Sequence, residues 1–454
     1  MSNGMGLARI SKIVEKCEQI KDELKAEVFG QDKAVEDVID SIANSILYED
    51  EDSSRPKGIF LFAGTPGVGK TFLATKCAEH LGYDSITLNM SSFSGRDEGK
   101  LSLFGSDGSY KNSKDGMLLE FVEKQNGEPC IVILDEFEKA HSEVILQFLQ
   151  ILQDGKTENI YIKGLKQISP KSFEERGLDR SLLYRSEYTS FSNVYFFFTT
   201  NAGRPLYENG KQPTPDLTKE AIIDAIRKDI NPDTKQSYFP DAILSRFQTG
   251  TVVMFRHLDT NELLQIGQKE LIKNIDIIGS KYDLEIGIES KVTTLLLLKE
   301  GGQVDARNFR KIAESFVREQ ITNLGTQLKQ EMRNISKIHI GVDPEERENL
   351  NELMFGEQSV QDVIFVCEDE KKLNLFYEML KSIEGIKIRK TTDYDDAMNM
   401  VKDEVFATPL VFAVLPSTKA DESLTMASVN SALQARSMKD FKEFVEKVKK
   451  YNEK

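Results

Sequence analysis

The chain has 454 residues, a formal net charge of −15, and 39% hydrophobic and 29% charged residues. This balance suits two or three globular domains with real cores and excludes a disordered chain. The acidity opposes phosphate backbones and disfavours a nucleic-acid motor, and no apolar run is long enough to span a membrane.

The first residues, MSNGMGLARISKIVEK, are charged and lack the apolar core of a signal peptide. Four cysteines (Cys17, Cys77, Cys130, Cys367) are far apart and form no CxxC. They read as small apolar residues of a reducing compartment, so a cytoplasmic location is expected. The four histidines show no ligand-like spacing, and no zinc site is expected. Leu7, Ile10, Cys17 and Leu24 share one face of an amphipathic helix over 1–27. It either packs on the body or binds a partner.

Ile59–Ala63 reads as a short buried strand. It runs into Gly64-Thr65-Pro66-Gly67-Val68-Gly69-Lys70-Thr71, a full GxxxxGK[ST], followed by FLATKCAEHLG at helical spacing. Strand, glycine-rich turn and helix form the context this phosphate motif needs. The glycines let backbone N–H groups curl around phosphates, and the helix N-terminus adds a positive dipole end. Lys70 supplies charge to the outer phosphates, and Thr71 offers a hydroxyl to Mg²⁺.

A second apolar strand, Cys130–Leu134, ends in Asp135-Glu136. Asp135 is placed to hold Mg²⁺ through its waters, and Glu136 to polarise an attacking water. A third, Asn193–Phe198, ends in Thr199-Thr200-Asn201, where a polar tip can orient that water. Farther on, FPDAILSRF sets Arg246 at the end of a short helix, and DARNFR opens another at Arg307.

GTPGVGKT, ILDEFEKAH, FFFTTNAG, FPDAILSRF and DARNFRK follow one another in the order and approximate spacing of a Clp-type AAA+ ATPase module. The phrase ILDEFEKAHSEVILQFLQILQDG is the most specific part of that resemblance, which covers roughly 28–342. VFGQDKAVEDVIDSI resembles the family's adenine-side segment, implying nucleotide contacts at Val28 and Phe29. The resemblance implies that Asn201 is the sensor 1 residue and Arg307 the sensor 2 arginine. It implies that Arg246 is an arginine finger reaching the neighbouring subunit. An arginine delivered in trans would neutralise charge on the transferring phosphoryl group and tie hydrolysis to assembly. ATP and Mg²⁺ are the implied cofactors, with a homo-oligomer, a hexamer, as the working form.

The stretch LFGSDGSYKNSKDG carries one large aromatic, Tyr110, in a polar loop. In Clp-type modules a loop at this place lines the central channel, carries an aromatic and is followed by Gly-x-Leu-Leu or a variant. Gly116-Met117-Leu118-Leu119 resembles that ending, so Tyr110 is the implied substrate-gripping residue, with Lys111 beside it. The neighbours depart from the family: Ser109 and Lys111-Asn112 stand where Gly and an aliphatic residue are usual. An aromatic ring grips polypeptide without needing a matching side chain.

Two segments are unusual. Residues 156–192 replace a shorter hairpin with a stretch rich in Lys, Arg and Tyr, read as a solvated insertion or as a second channel or partner contact. Residues 204–238 lack the Ile-Gly-Leu or Ile-Gly-Phe tripeptide of protease-coupled relatives, so peptidase docking is not supported. Ile286-Gly287-Ile288 lies elsewhere, in an expected strand.

The expected fold is α/β: a P-loop parallel sheet with helices on both faces over 28–258, and a small α/β lid over 259–342. An acidic linker follows at 343–360, then an α/β domain over 361–454. In that last domain β-like 363–367, 386–389 and 410–415 alternate with helical segments, and the order resembles a response-regulator receiver domain. Val411–Leu415 holds no phosphoacceptor Asp and only 38 residues follow Pro416, so a degenerate, receiver-like interaction domain is expected. The resulting expectation is an ATPase that unfolds or remodels protein substrates by threading them through a ring. The alternative is an ATP-dependent switch or assembly factor acting on one partner recruited by the C-terminal domain.

Overall fold

The strands of the first part of the chain are β1 (Gly58–Ala63), β2 (Asp84–Asn89), β3 (Cys130–Asp135), β4 (Lys156–Glu158), β5 (Tyr188–Ser190), β6 (Val194–Thr200) and β7 (Thr251–Met254). Five of them form one parallel sheet in the order β2-β3-β6-β1-β7. These come from a computed structural model that describes residues 3–48, 54–208, 211, 213–214, 217–232, 234–289, 291–299, 305–328, 337–341, 362–366, 370, 374, 377, 387–393 and 410–414. The chain divides into two compact units, Met1–Leu258 and Asp259–Lys454.

The continuous apolar runs of β1, β3 and β6 follow from burial on both faces. Phe60, Phe62, Ile131, Ile133, Tyr195 and Phe197 point to one side. Helices α1 (Asn3–Glu27), α2 (Asp32–Leu47) and α3 (Lys70–Leu81) supply Cys17, Leu24, Val35, Leu73 and Cys77 to that layer. Phe60 and Phe197 stack there with ring centroids 4.5 Å apart.

Leu61, Val132, Leu134, Phe196 and Phe198 point to the other side. They meet α4 (Arg96–Phe104), α5 (Met117–Lys124) and α6 (Ser142–Asp154). After α6 the chain makes α7 (Ile160–Leu165) and α8 (Pro170–Glu175) between β4 and β5. It returns to the same layer with α9 (Lys219–Lys228) and α10 (Asp241–Phe247). The α/β class expected from the sequence, a parallel sheet clothed on both faces, is what the chain adopts.

The amphipathic helix α1 is anchored by its second half. Cys17, Ile20 and Leu24 are buried, and Lys21 and Lys25 pair with Asp40 and Glu36 of α2. Its first half leaves Leu7, Ile10 and Val14 exposed.

In the second unit, α11 (Thr260–Tyr282) starts with a capping box between Asp259 and Glu262. It packs against α13 (Ala306–Leu328), with α12 (Lys291–Lys299) between them in sequence. Gly267 lets Phe309 approach, since a Cβ there would lie 2.3 Å from its ring. Strand β8 (Glu285–Ile288), which holds Ile286-Gly287-Ile288, pairs in parallel with β9 (Lys337–Ile340). Strands β10 (Asp362–Val366), β11 (Lys387–Thr391) and β12 (Leu410–Val414) form a parallel sheet in the order β11-β10-β12. This is the strand order in which a doubly wound sheet of the flavodoxin type begins. All but the first residue of the helix expected over 393–403, the acidic linker and the segment beyond Pro416 lie outside the described residues, as does most of the helix expected after β10.

Candidate nucleotide-binding and substrate-contact site

The C-terminal ends of β1, β3 and β6 lie side by side, because Ala63 is in register with Thr200 and Leu134 with Phe198. Everything that leaves those strand ends therefore converges on one edge of the sheet, where α/β folds place their ligands.

The turn after β1 curls over the start of α3. Gly64, Gly67 and Gly69 have φ of 142°, 81° and 101°, values that L side chains rarely adopt. At Gly64 a Cβ would also lie 2.8 Å from the Phe255 carbonyl oxygen. Lys70 is buried, and its Nζ donates to the carbonyls of Gly64 (2.6 Å) and Thr65 (2.8 Å) and to Asn201 Oδ1 (2.9 Å). Its charge thus faces the concave side of the turn, in contact with the tip of β6.

Thr71 and Asp135 meet directly, with Thr71 Oγ1 donating to Asp135 Oδ1 at 2.5 Å. The same oxygen accepts from Thr199 Oγ1 at 2.6 Å. Thr199 Oγ1 in turn accepts from the Glu136 backbone N–H at 2.9 Å, so this one threonine ties the carboxylate pair of β3 to β6. A hydroxyl and a carboxylate oxygen are hard donors that suit Mg²⁺, whose remaining positions water and phosphate oxygens would fill. Among the described residues no three His, Cys, Asp or Glu side chains cluster as a protein-only metal site. Glu136 adopts φ 56°, ψ 50°, a left-handed backbone that turns its side chain off the strand, and its Oε2 pairs with Lys139 Nζ at 2.8 Å.

Asn201 is held by a residue the sequence reading passed over. Glu138 Oε1 accepts from the Asn201 backbone N–H (3.1 Å) and from its Nδ2 (3.0 Å). Burial pushes the Glu138 carboxyl above its ordinary value, opposed by the bonds from Asn201 and by the charge of Lys70. The Asn201 carbonyl accepts from the Tyr207 hydroxyl. A cavity of about 350 Å³ opens here, lined by Thr65, Pro66, Glu138, Asn201, Tyr207 and His257. Glu138 belongs to the quoted phrase ILDEFEKAH, but only its contact with Asn201 marks it out from the other acids there.

Val28 is buried in the α1–α2 layer and Phe29 is half-buried. The next residues, Gly30 and Gln31, line a cavity of about 250 Å³ together with Val253, Met254 and Arg256. Gln31 bridges α2 to the segment after β7, donating to the Arg256 carbonyl at 2.9 Å.

Arg246 lies at the end of α10, whose Ile243, Leu244 and Phe247 are buried; Phe247 packs on Phe198 of β6 at 4.9 Å. Its Nη2 donates to Gln153 Oε1 on α6 at 2.5 Å, and among the described residues it has no carboxylate partner. Arg307 is exposed in the first turn of α13, in the second unit.

Tyr110 is 70% exposed at the tip of a closed loop. Gly105 and Asp115 form an antiparallel bridge at its base, and Ser106 N donates to the Lys114 carbonyl at 3.1 Å. At the tip the Tyr110 carbonyl accepts from Ser113 N (3.3 Å) and Ser113 Oγ (2.6 Å). Lys111 is exposed beside it. The composition suggests a freely solvated loop; its backbone is tied.

A parallel sheet with this glycine-rich turn, buried lysine and acidic strand end defines a P-loop nucleotide-hydrolysing module. Residues 55–248 match the family model described as AAA domain (Cdc48 subfamily). The chain is similar to chaperone protein ClpB of Staphylococcus epidermidis, 31% identical over 294 residues, which is 62% of this chain and 29% of the relative. It is also similar to the ClpB chaperones of Staphylococcus aureus (30% over 292 residues) and Bacteroides thetaiotaomicron (28% over 287 residues), with the same shares covered. Over residues 55–248 the chain is thus similar to an AAA-type ATPase domain, and over 62% of its length to ClpB chaperones. It spans 29% of the length of these curated relatives.

Proposed function

We propose that the chain is an ATP-driven motor that unfolds or remodels protein substrates. It works as a homo-hexameric ring in the cytoplasm and threads polypeptide past Tyr110. ATP and Mg²⁺ are held by Gly64–Thr71 and Asp135, with Val28 and Phe29 on the adenine side. Lys70 neutralises phosphate charge, Glu136 polarises the attacking water and Asn201 orients it. Arg307 of the lid and Arg246 of a neighbouring subunit complete the charge stabilisation. The similarity to ClpB chaperones supports a protein substrate. The buried, unpaired thiols of Cys17, Cys77 and Cys130 agree with a reducing compartment.

One observation carries the threading reading: a large ring is left 70% exposed at the tip of a backbone-tied loop. An exposed aromatic on an ordered support is a contact element. The C-terminal domain over 361–454 is read as the place where one defined partner is recruited. A switch acting on that partner without threading is the alternative.

The test measures ATPase rate and unfolding of a tagged fluorescent protein side by side. Tyr110→Ala is expected to keep basal ATPase and lose unfolding, and Tyr110→Phe to keep most of both. Wild-type unfolding by Tyr110→Ala would remove the threading role. ATPase stimulation by one partner alone, with no unfolding by the wild type, would favour the switch.

A further inference from the structure

The inserted segment 156–190 is not a solvated excursion. Strands β4 and β5 form its antiparallel stem, and Tyr161, Ile162, Leu165 and Phe173 form a small apolar cluster of their own. Ile168, Leu178, Leu182 and Leu183 pack around that cluster. The segment is thus a folded subdomain, and it is built against the Tyr110 loop.

Two glycines face each other where they meet. A Cβ on Gly108 would lie 2.2 Å from the Tyr161 carbonyl oxygen, and one on Gly164 would lie 2.0 Å from Asp107 Oδ1. Only bare backbone fits on both sides. Across this contact Arg176, just after α8, spreads its guanidinium over the loop tip. Nη1 donates to the carbonyls of Gly108 (2.9 Å) and Tyr110 (3.2 Å), and Nη2 donates to that of Ser109 (2.5 Å). Three successive carbonyls are gathered on one planar fork, a geometry that an ammonium does not reproduce.

The stem of the loop is held by the same segment. Arg185 pairs with Asp115 at 2.8 Å and with Glu123 of α5. Asn159 donates to Glu123 Oε1 at 2.9 Å and to Asp115 Oδ1 at 3.4 Å. The insertion therefore clamps the loop at tip and base.

We propose that Arg176 is a positioning residue for substrate engagement: it fixes the backbone of 108–110 so that Tyr110 is presented in one orientation, and the insertion and the loop act as a single gripping element. This rests on the reading of Tyr110 as the substrate-contacting residue. A pre-ordered contact loses less conformational freedom on binding, so its loss should weaken engagement and leave the phosphate chemistry alone.

The experiment compares wild type, Arg176→Ala, Arg176→Lys and Tyr110→Ala. Substrate engagement is read as the KM for an unfolded model protein in stimulated ATPase, alongside basal ATPase and amide hydrogen exchange of residues 106–114. Arg176→Ala is expected to raise that KM about tenfold and to speed exchange in 106–114, with basal ATPase and exchange in the central sheet unchanged. Arg176→Lys keeps the charge and the aliphatic stem and is expected to remain defective, because the fork is what spans the three carbonyls. Unchanged exchange in 106–114 for Arg176→Ala overturns the brace. Faster exchange with an unchanged KM overturns the role in engagement, provided that Tyr110→Ala is defective. Wild-type behaviour of Tyr110→Ala removes the substrate reading itself, and with it the role given to Arg176, whatever the exchange shows. Full recovery by Arg176→Lys also counts against the proposal.

Discussion

Lys70 Nζ lies 2.9 Å from Asn201 Oδ1, so the cation of the phosphate turn and the polar tip of β6 are already in contact across the sheet edge. The same ammonium binds the carbonyls of Gly64 and Thr65. In the proposed site, nucleotide phosphates would compete with these three acceptors for Lys70.

Ground-state binding and water activation are then separable. Lys70→Ala is expected to abolish detectable nucleotide binding. Glu136→Gln is expected to bind ATP with near wild-type affinity and to lose steady-state hydrolysis. Fluorescent-nucleotide titration and phosphate release distinguish the two. Hydrolysis at the wild-type rate by Glu136→Gln would contradict the role assigned to that carboxylate.

Glu138 gives a prediction with a pH sign. Its carboxyl is held above the ordinary value by burial, so ionising it costs more in the folded chain than in the unfolded one. The cost of keeping it charged is present above the raised value and vanishes below the ordinary carboxylate range near 4.3. Glu138→Gln keeps an acceptor for Asn201 and removes that cost. Its melting temperature should exceed wild type most at neutral and alkaline pH, and the gap should close on acidification. A gap independent of pH would mean that the charge is compensated. Glu138→Ala, which frees Asn201, should slow ATP hydrolysis on the order of ten- to a hundredfold, as losing an orienting partner does around metal ligands.

Helix α1 offers a test of packing against exposure. Leu24 is fully buried where α1 packs on α2 and α3, whereas Leu7 is 70% exposed. Leu24→Ala should cost about 2–5 kcal/mol, and Leu7→Ala should stay within about 0.5 kcal/mol. Urea melts of both variants check this. Equal stabilities would show that the helix does not contribute to the folded core.

What was legible in the sequence was what local pattern dictates. Uninterrupted apolar runs such as Tyr195–Phe198 require burial on both faces, and the GxxxxGK[ST] turn requires a strand before it and a helix after it. Side chains whose meaning depends on distant partners were not legible. Glu138 looks like one acid among several until Asn201 is seen on its carboxylate. Thr199 reads as the end of a strand until it bridges Asp135 and the Glu136 amide. The insertion hid its core because Tyr161, Ile162, Leu165 and Phe173 are interleaved with charged residues and show no sustained period. Arg176 could not be singled out from the other cations there, since its three acceptors are backbone atoms more than sixty residues away.

Arg246 carries the last prediction. Its helix is fixed to the sheet by Phe247 on Phe198, so the guanidinium is placed by the core, yet among the described residues its side-chain partners are the neutral Gln153 and Ser245. A half-buried cation with no carboxylate partner among the described residues is available to an anion supplied from outside the subunit. Arg246→Ala should leave nucleotide affinity nearly intact and slow hydrolysis by about a thousand- to a hundred-thousandfold, the range for loss of an arginine finger. Mixing it with Lys70→Ala decides whether the residue acts in trans. Each variant alone is expected to hydrolyse ATP very slowly; in the proposed ring, mixing them would place an intact Arg246 of one subunit against an intact Lys70 of the next. Hydrolysis should reappear on mixing and peak near equal proportions. If the mixture stays as inactive as its components while still assembling, Arg246 serves its own subunit's nucleotide. If Arg246→Ala alone hydrolyses at the wild-type rate, its contact with Gln153 is structural.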